Sequence, residues 1–347
     1  MLLFAAHDPG AKNNIRPVYE HALSLGFDAQ FIDLATCRGL MDQDQAAEFI
    51  KSISLKSVIL GCSSNQGEWP LIQACKALGI HTGMVVDIGT LTKIDSMTPD
   101  DFPSRFMVSN DSCHQEVLDL GADPATVTVT GDCHLEVLSN LPRQDTSEQV
   151  RKDYGLPMDA SVVSFFCSPN TQDTIDAIVS LAELLPTTDI DRPAVIVRPH
   201  PRSRHLEVLE LVCQPHRFLR FDAEGHVSNW ALLATSVFSM SMASTVTLES
   251  LALGTHSAFF QVGWDFNELN HLYRNLVDVV RIRTENQLNE FVASAIRREG
   301  PTLIGNVENH KGALARTYAG GGRVDGGRGL ISFAASFWAD RSEELNR

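Results

Sequence analysis

VIVRPHPRSRH, residues 195–205, is the stretch from which the rest of the chain can be read. An apolar run, read as a buried strand, breaks directly into Arg198, Pro199, His200, Pro201, Arg202, Ser203, Arg204 and His205. Arg198 and Arg202 offer forked donors suited to phosphate, and His200 can donate a hydrogen bond or move a proton. The two prolines stiffen the loop and hold these side chains in set directions. A solvated basic turn ahead of a helix is the plainer reading of the same letters. Position decides between them: in open α/β sheets, ligands bind at the carboxyl ends of strands.

That position follows from the pattern on either side. In the N-terminal half, short apolar runs (MLLFAA, DAQFIDL, SVILGCS, TGMVVD, RFMVSN, TVTVTGD) alternate with amphipathic stretches such as NIRPVYEHALSLG, closed by Gly26, and WPLIQACKALG. Strands separated by helices of this length give βαβ units and a parallel sheet. Residues 139–160, with two prolines and mixed charge, interrupt the rhythm as a linker does. The pattern then restarts through SVVSFFCS, PAVIVRP, SVFSMS and HSAFFQV. The expected architecture is α/β, with two Rossmann-like, doubly wound domains facing a central cleft. Residues 1–138 are expected to form the first domain and 161–315 the second. A glycine-rich turn and a crossing helix occupy 316–347.

Composition narrows the partners. The chain has 347 residues, 44% of them hydrophobic, and a formal net charge of −15. Residues 1–150 hold 9 Lys+Arg against 20 Asp+Glu, while the remainder holds 19 against 23. An acidic surface repels nucleic acid and anionic lipid, so neither is expected as a partner, and the C-terminal half is the better place for an anion. The acidic N-terminal half favours a neutral or cationic acceptor. No apolar run approaches the ~20 residues of a membrane span. The N-terminus lacks a basic leader, and seven scattered cysteines without a CxxC pair suit reduced thiols, so a cytoplasmic location is expected. A homo-oligomer is left open.

Other turns add to the basic loop. In SMSMASTVTLESLALG, residues 239–254, a strand ends in a hydroxyl-rich turn and a helix begins near Ser244 and Thr245. Amides at such a start bind phosphate, and Glu249, one turn further on, can accept from ribose hydroxyls. An ordinary helix cap is the competing reading. FFCSPNTQD repeats the design with Ser168, where plain capping again competes. HDPGAKNN follows the first strand, and VVDIGT ends another, so His7, Asp8 and Asp87 are the candidate bases for a hydroxyl acceptor. GxGxxG, HExxH and the P-loop lysine motif are absent, and the DxD-like Asp189–Asp191 precedes a strand instead of following one. No metal and no resident cofactor are expected.

Together, RPHP, STVTLESLALG and VTVTGDCHLEVL resemble the GT-B-type nucleotide-sugar superfamily. That group holds UDP-N-acetylglucosamine 2-epimerases, CDP-glycerol glycerophosphotransferases and capsule glycosyltransferases. The resemblance implies a nucleotide diphosphate, UDP- or CDP-linked, on the C-terminal domain, with His200 and the Ser244/Thr245 turn on phosphates and Glu249 on ribose. Asp87 falls where the epimerases carry a glutamate. Their HGDT stretch is here LGCSSN, with Cys62 and Ser63 where a carboxylate is expected, which points away from ordinary epimerisation. The reading is a metal-independent glycosyltransferase passing a sugar to a hydroxyl acceptor in surface polysaccharide or glycoconjugate synthesis. A 2-epimerase or hydrolase, and a non-catalytic nucleotide-sugar-binding protein, are the alternatives.

Overall fold

The computed structural model describes residues 1–37, 42–63, 65–86, 94–140, 147–191, 193–242, 244–263 and 279–297. Asp87 and the helix expected within 316–347 lie outside the described residues. The chain divides into two compact units, the first built on residues 1–137 and the second beginning at residue 138.

In unit 1 the order is β1 (Leu2–Ala6), α1 (Pro9–Ser24), β2 (Ala29–Asp33), α2 (Gln43–Ser52), β3 (Ser57–Leu60), α3 (Trp69–Ala77) and β4 (His81–Val86). It continues with β5 (Arg105–Val108), α4 (Asp111–Asp119), β6 (Val127–Val129) and α5 (Cys133–Asn140), whose last residues belong to unit 2. The strands form one parallel sheet in the order β2-β1-β3-β4-β5-β6. β1 is buried along its whole length because helices cover both faces. Leu3 and Ala5 pack with Ala46, Ile50, Leu71 and Cys75 on one side, and Phe4 and Ala6 with Ala11, Ile15 and Val18 on the other. Strand order reverses between β1 and β3, so their carboxyl ends make the switch point where such sheets take ligands.

Gly61, just past β3, is required by this packing. A Cβ there would stand 2.7 Å from Ala11 Cβ and 2.9 Å from Ala6 Cβ. Only glycine lets the start of α1 lie so close to the end of β3.

Unit 2 adds α6 (Ser147–Asp153), β7 (Ser161–Phe166), α7 (Thr171–Leu184), β8 (Pro193–Arg198), α8 (Leu206–Cys213) and β9 (Leu219–Phe221). Then come α9 (Asn229–Thr235), β10 (Phe238–Ser241), α10 (Val246–Ala252), β11 (His256–Phe260), β12 (Val280–Ile282) and α11 (Glu285–Arg297). Its sheet is parallel in the order β12-β11-β10-β7-β8-β9, reversing between β7 and β10. The pattern did not reveal α9 or β12: seven and three residues are too few for either period to show. All seven cysteines are free. Among the described residues no helix is long and apolar enough to cross a membrane.

Candidate functional site

Unit 2 brings its sequence-selected residues to three adjacent strand ends. Ser244 and Thr245 follow β10, Ser168 follows β7, and Arg198 to Arg202 end and follow β8, in the contiguous order β10-β7-β8. Neighbouring strands lie about 4.8 Å apart, so the three ends span roughly 10 Å at the switch point. The turns are knotted together. Ser168 carbonyl accepts from Thr174 Oγ1 (3.1 Å) and Ser203 Oγ (3.3 Å), and Thr171 Oγ1 donates to the Arg204 carbonyl (3.1 Å). Ser168 Oγ is buried and accepts from the Asn170 amide, while Asn170 caps α7 through the Asp173 amide. The capping that competed with a ligand role for Ser168 is thus assigned to Asn170.

His200 is fixed as a neutral donor. The Arg202 amide donates to its Nδ1 (3.0 Å), which leaves the ring proton on Nε2. Burial, with the Arg202 charge beside it, pulls its pKa down to about 4. Arg202 itself is exposed, and among the described residues its guanidinium has no hydrogen-bond or carboxylate partner. At the β10 turn, Ser244 Oγ accepts from the Val246 amide (3.3 Å), and the Ser244 and Thr245 carbonyls accept from Thr247 and Leu248. The first amides of α10 are therefore satisfied locally, unlike the open helix start expected from sequence. Glu249, half-buried, stands one helical turn beyond exposed Thr245.

Arg198 differs from its expected place as an open phosphate donor. Its guanidinium is committed inside unit 2: Nε and Nη2 donate to Asp222 Oδ2, Nη1 to Asn229 Oδ1 (2.6 Å) and Nη2 to Tyr154 Oη (3.0 Å). Tyr154 Oη also donates to Asp222 (2.6 Å), and His226 Nδ1 lies 2.7 Å from the other carboxylate oxygen. Burial pushes the Asp222 carboxyl up, but the hydrogen bonds from Tyr154, His226 and Arg198 outweigh it and hold it well below the usual range. Asp222, Tyr154, Asn229 and His226 were not singled out in the sequence. Asp222 had a readable signal: like Arg198, it follows an apolar strand directly, in RFLRFD.

The edge of unit 1 carries the candidate bases. His7 Nδ1 lies 3.1 Å from Asp8 Oδ1, both side chains about one-third exposed (33% and 29%). Asp8 occupies the N-cap position of α1, where an Asx cap is the plain alternative to a catalytic role, but its side chain makes no cap hydrogen bond. Beneath the turn lies a carboxylate the sequence did not advertise. Glu68 Oε1 accepts from the His7 amide (2.9 Å) and from Ser63 Oγ (2.5 Å). Ser63 Oγ in turn accepts from the amides of Asp8 (2.9 Å) and His7 (3.3 Å). Glu68 is only 1% exposed, and burial raises its pKa against the lowering effect of those hydrogen bonds. Nearby, Lys12 Nζ donates to Asp33 (2.8 Å), and that hydrogen bond lowers the Asp33 carboxyl.

The DxD-like pair Asp189 and Asp191 is exposed at the amino end of β8, the opposite end of unit 2's own sheet from its strand-end turns. Among the described residues no three His, Cys, Asp or Glu side chains gather as a metal site would require.

No protein-family model matches the sequence, and no curated protein matches it. Solved structures do. A UDP-GlcNAc 2-epimerase from Neisseria meningitidis, bound to UDP-GlcNAc, aligns with a TM-score of 0.66 at 11% identity, over 96% of this chain and 99% of that one. A glycosyltransferase from Rickettsia africae gives 0.58 at 12% identity, over 97% of each chain. Anabaena HepE in complex with UDP gives 0.59 at 10%, over 96% and 99%. The fold is GT-B-like. It is the fold that the resemblance of RPHP and STVTLESLALG implied.

Proposed function

We propose that this chain is a nucleotide-sugar enzyme, a glycosyltransferase that holds a UDP-linked donor on unit 2 and deprotonates a hydroxyl acceptor with His7. The observation that carries the reading is the His7–Asp8 pair. With the Nδ1 proton donated to Asp8, His7 Nε2 keeps its lone pair, which makes one base oriented by one carboxylate. Transfer to an alcohol needs a single such base. Epimerisation at a sugar carbon needs an acid and a base; among the described residues, Glu68 is committed beneath the turn and Asp33 to Lys12.

On unit 2, His200 Nε2–H and the Arg202 guanidinium take the diphosphate, with Ser244 and Thr245 beside them and Glu249 on the ribose. Donors fixed before the reaction stabilise the negative charge that develops on the departing diphosphate. Arg198 acts from behind, bracing the loop through Asp222. UDP is the favoured nucleotide because the fold's solved examples include proteins holding UDP or UDP-GlcNAc. The same examples favour one second reading, a UDP-sugar 2-epimerase or hydrolase.

The experiment has two arms. Thermal shift against UDP, CDP, GDP and TDP should show stabilisation by UDP, growing with concentration as linkage requires. UDP-GlcNAc followed by NMR should then stay intact alone and release UDP when an alcohol acceptor is added, with or without chelator. Inversion at C2 without acceptor would establish the second reading instead. His7→Gln should keep UDP binding and lose about 10²- to 10⁴-fold in transfer.

A further inference from the structure

The β1–α1 turn of unit 1 occupies the place where dinucleotide-binding folds hold a phosphate, on amides at a helix start. In this chain that place is taken. α1 has 16 residues and opens with Pro9, which has no amide hydrogen, and Asp8 does not cap it. The amides leading into it, from His7 and Asp8, point at Glu68 Oε1 and Ser63 Oγ. Those acceptors come from the loop after β3, the partner strand at the switch point.

We propose that Glu68 is an internal anion: its carboxylate fills the phosphate position of the β1–α1 turn and so restricts this edge of unit 1 to uncharged or cationic ligands. Three features support this. The carboxylate is 1% exposed, so a ligand does not reach it and its partners are the chain's own. Its position near the positive end of α1 suits a negative charge. Ser63 completes the set, its single proton going to Glu68 and its lone pairs facing the two amides. Asp8 adds a second negative charge beside the turn, so an incoming phosphate would meet repulsion as well as a filled site. Glu68 is thus a positioning residue. It holds the backbone from which His7 and Asp8 project and does not itself touch a substrate. The inference stands whether or not the chain transfers a sugar.

Anion rescue tests it on the full chain at pH 8. Glu68→Ala should melt several degrees below the wild type. Formate at 50 mM should restore at least half of that loss, whereas formamide or chloride at matched ionic strength should not. The wild type should show no formate response. If Glu68→Ala melts like the wild type, or if formamide rescues as well as formate, the buried group is a space-filler and the proposal fails. Should Glu68→Ala not fold, the isosteric Glu68→Gln decides the matter. Hydrogen exchange at the His7 and Asp8 amides should then rise at least tenfold, and unchanged exchange would overturn the proposal.

Discussion

Among the described residues, each unit buries one carboxylate at its carboxyl sheet edge, and the two are neutralised in opposite ways. In unit 1, Glu68 accepts from the His7 amide and the Ser63 hydroxyl, with no cation among its hydrogen-bond partners within the described residues. In unit 2, Asp222 sits against the Arg198 guanidinium, with Tyr154 and His226 completing its shell. The consequence is a difference in what each edge has left to offer. Unit 1 uses its turn amides on itself and presents a His–Asp pair. Unit 2 uses one arginine on itself and, among the described residues, leaves the Arg202 guanidinium uncommitted beside the neutral His200. The charge imbalance of the sequence, 9 cationic against 20 acidic residues in the first 150, is the coarse form of the same division.

The largest expected effect breaks the unit 2 arrangement. Arg198→Ala leaves Asp222, whose side chain is 0% exposed, buried without its cation. Removing one partner of a buried pair costs about 3–5 kcal/mol, which urea denaturation would register. Replacing both residues with apolar ones of similar volume, as Arg198→Met with Asp222→Leu, should recover much of that loss. If Arg198→Ala instead weakens UDP binding while leaving stability intact, Arg198 is a ligand residue after all.

Next comes His200→Ala. A hydrogen bond to a charged group is worth about 1.5–3 kcal/mol, so UDP affinity should fall roughly ten- to a hundredfold with the melting temperature of the free protein nearly unchanged. Asp189→Ala, at the opposite sheet edge, should leave affinity as it was. Because His200 is already neutral above about pH 4, UDP affinity should not track its titration between pH 6 and 8.

Glu68 gives a pH signature that Asp222 lacks. Burial raises the Glu68 pKa above the ordinary glutamate value, with the neighbouring Asp8 charge acting in the same direction. The folded state therefore holds this proton more tightly than the unfolded chain. The proton-linked part of its contribution to stability is full below the ordinary glutamate value and is lost as pH rises through the raised folded value, while its packing and its hydrogen bonds from the His7 amide and Ser63 remain at pH 8. Wild type minus Glu68→Gln stability should accordingly decline across that window and level off above it. For Asp222, held low, the sign inverts: its contribution is present above the unfolded value and lost as pH falls through the folded one.

These two networks also mark where sequence reading stops. The parallel sheets were legible because short β-branched and aromatic runs such as VVSFF alternate with amphipathic stretches such as TQDTIDAIVSLAELL. The strand-end turns were legible for the same reason: once a strand is placed, so is its carboxyl end. Partner choice was not. Arg198 reads as an open donor until β9 brings Asp222 alongside, and Glu68 reads as an ordinary residue before Trp69-Pro70 until β1 and β3 pair. Both pairings are long-range, and no local pattern specifies them.

The smallest effect concerns the loops themselves. Among the described residues, two that are not glycine adopt left-handed backbone: Gln66 (φ 61°) and His205 (φ 57°). One follows β3 and the other β8, each strand lying next to the first strand of its own unit's sheet. Left-handed backbone costs a side-chain-bearing residue about 1–2 kcal/mol, which glycine escapes. Gln66 recovers part of this by donating from Nε2 to Ser96 Oγ (2.7 Å), an exposed bond worth about 0.5–1.5 kcal/mol. Gln66→Gly removes the strain and the bond together, and also enlarges the freedom of the unfolded chain, so stability should shift by less than about 1 kcal/mol. The informative quantity is turnover. Gly67 lies against the His7 ring, a Cβ there standing 3.2 Å from His7 Cβ, so the strained backbone at residue 66 sets the wall on which the imidazole rests. If Gln66→Gly slows transfer at unchanged stability, the strain belongs to the site. If both stay level, residue 66 only closes a loop, and the parallel with His205 is one of chain geometry alone.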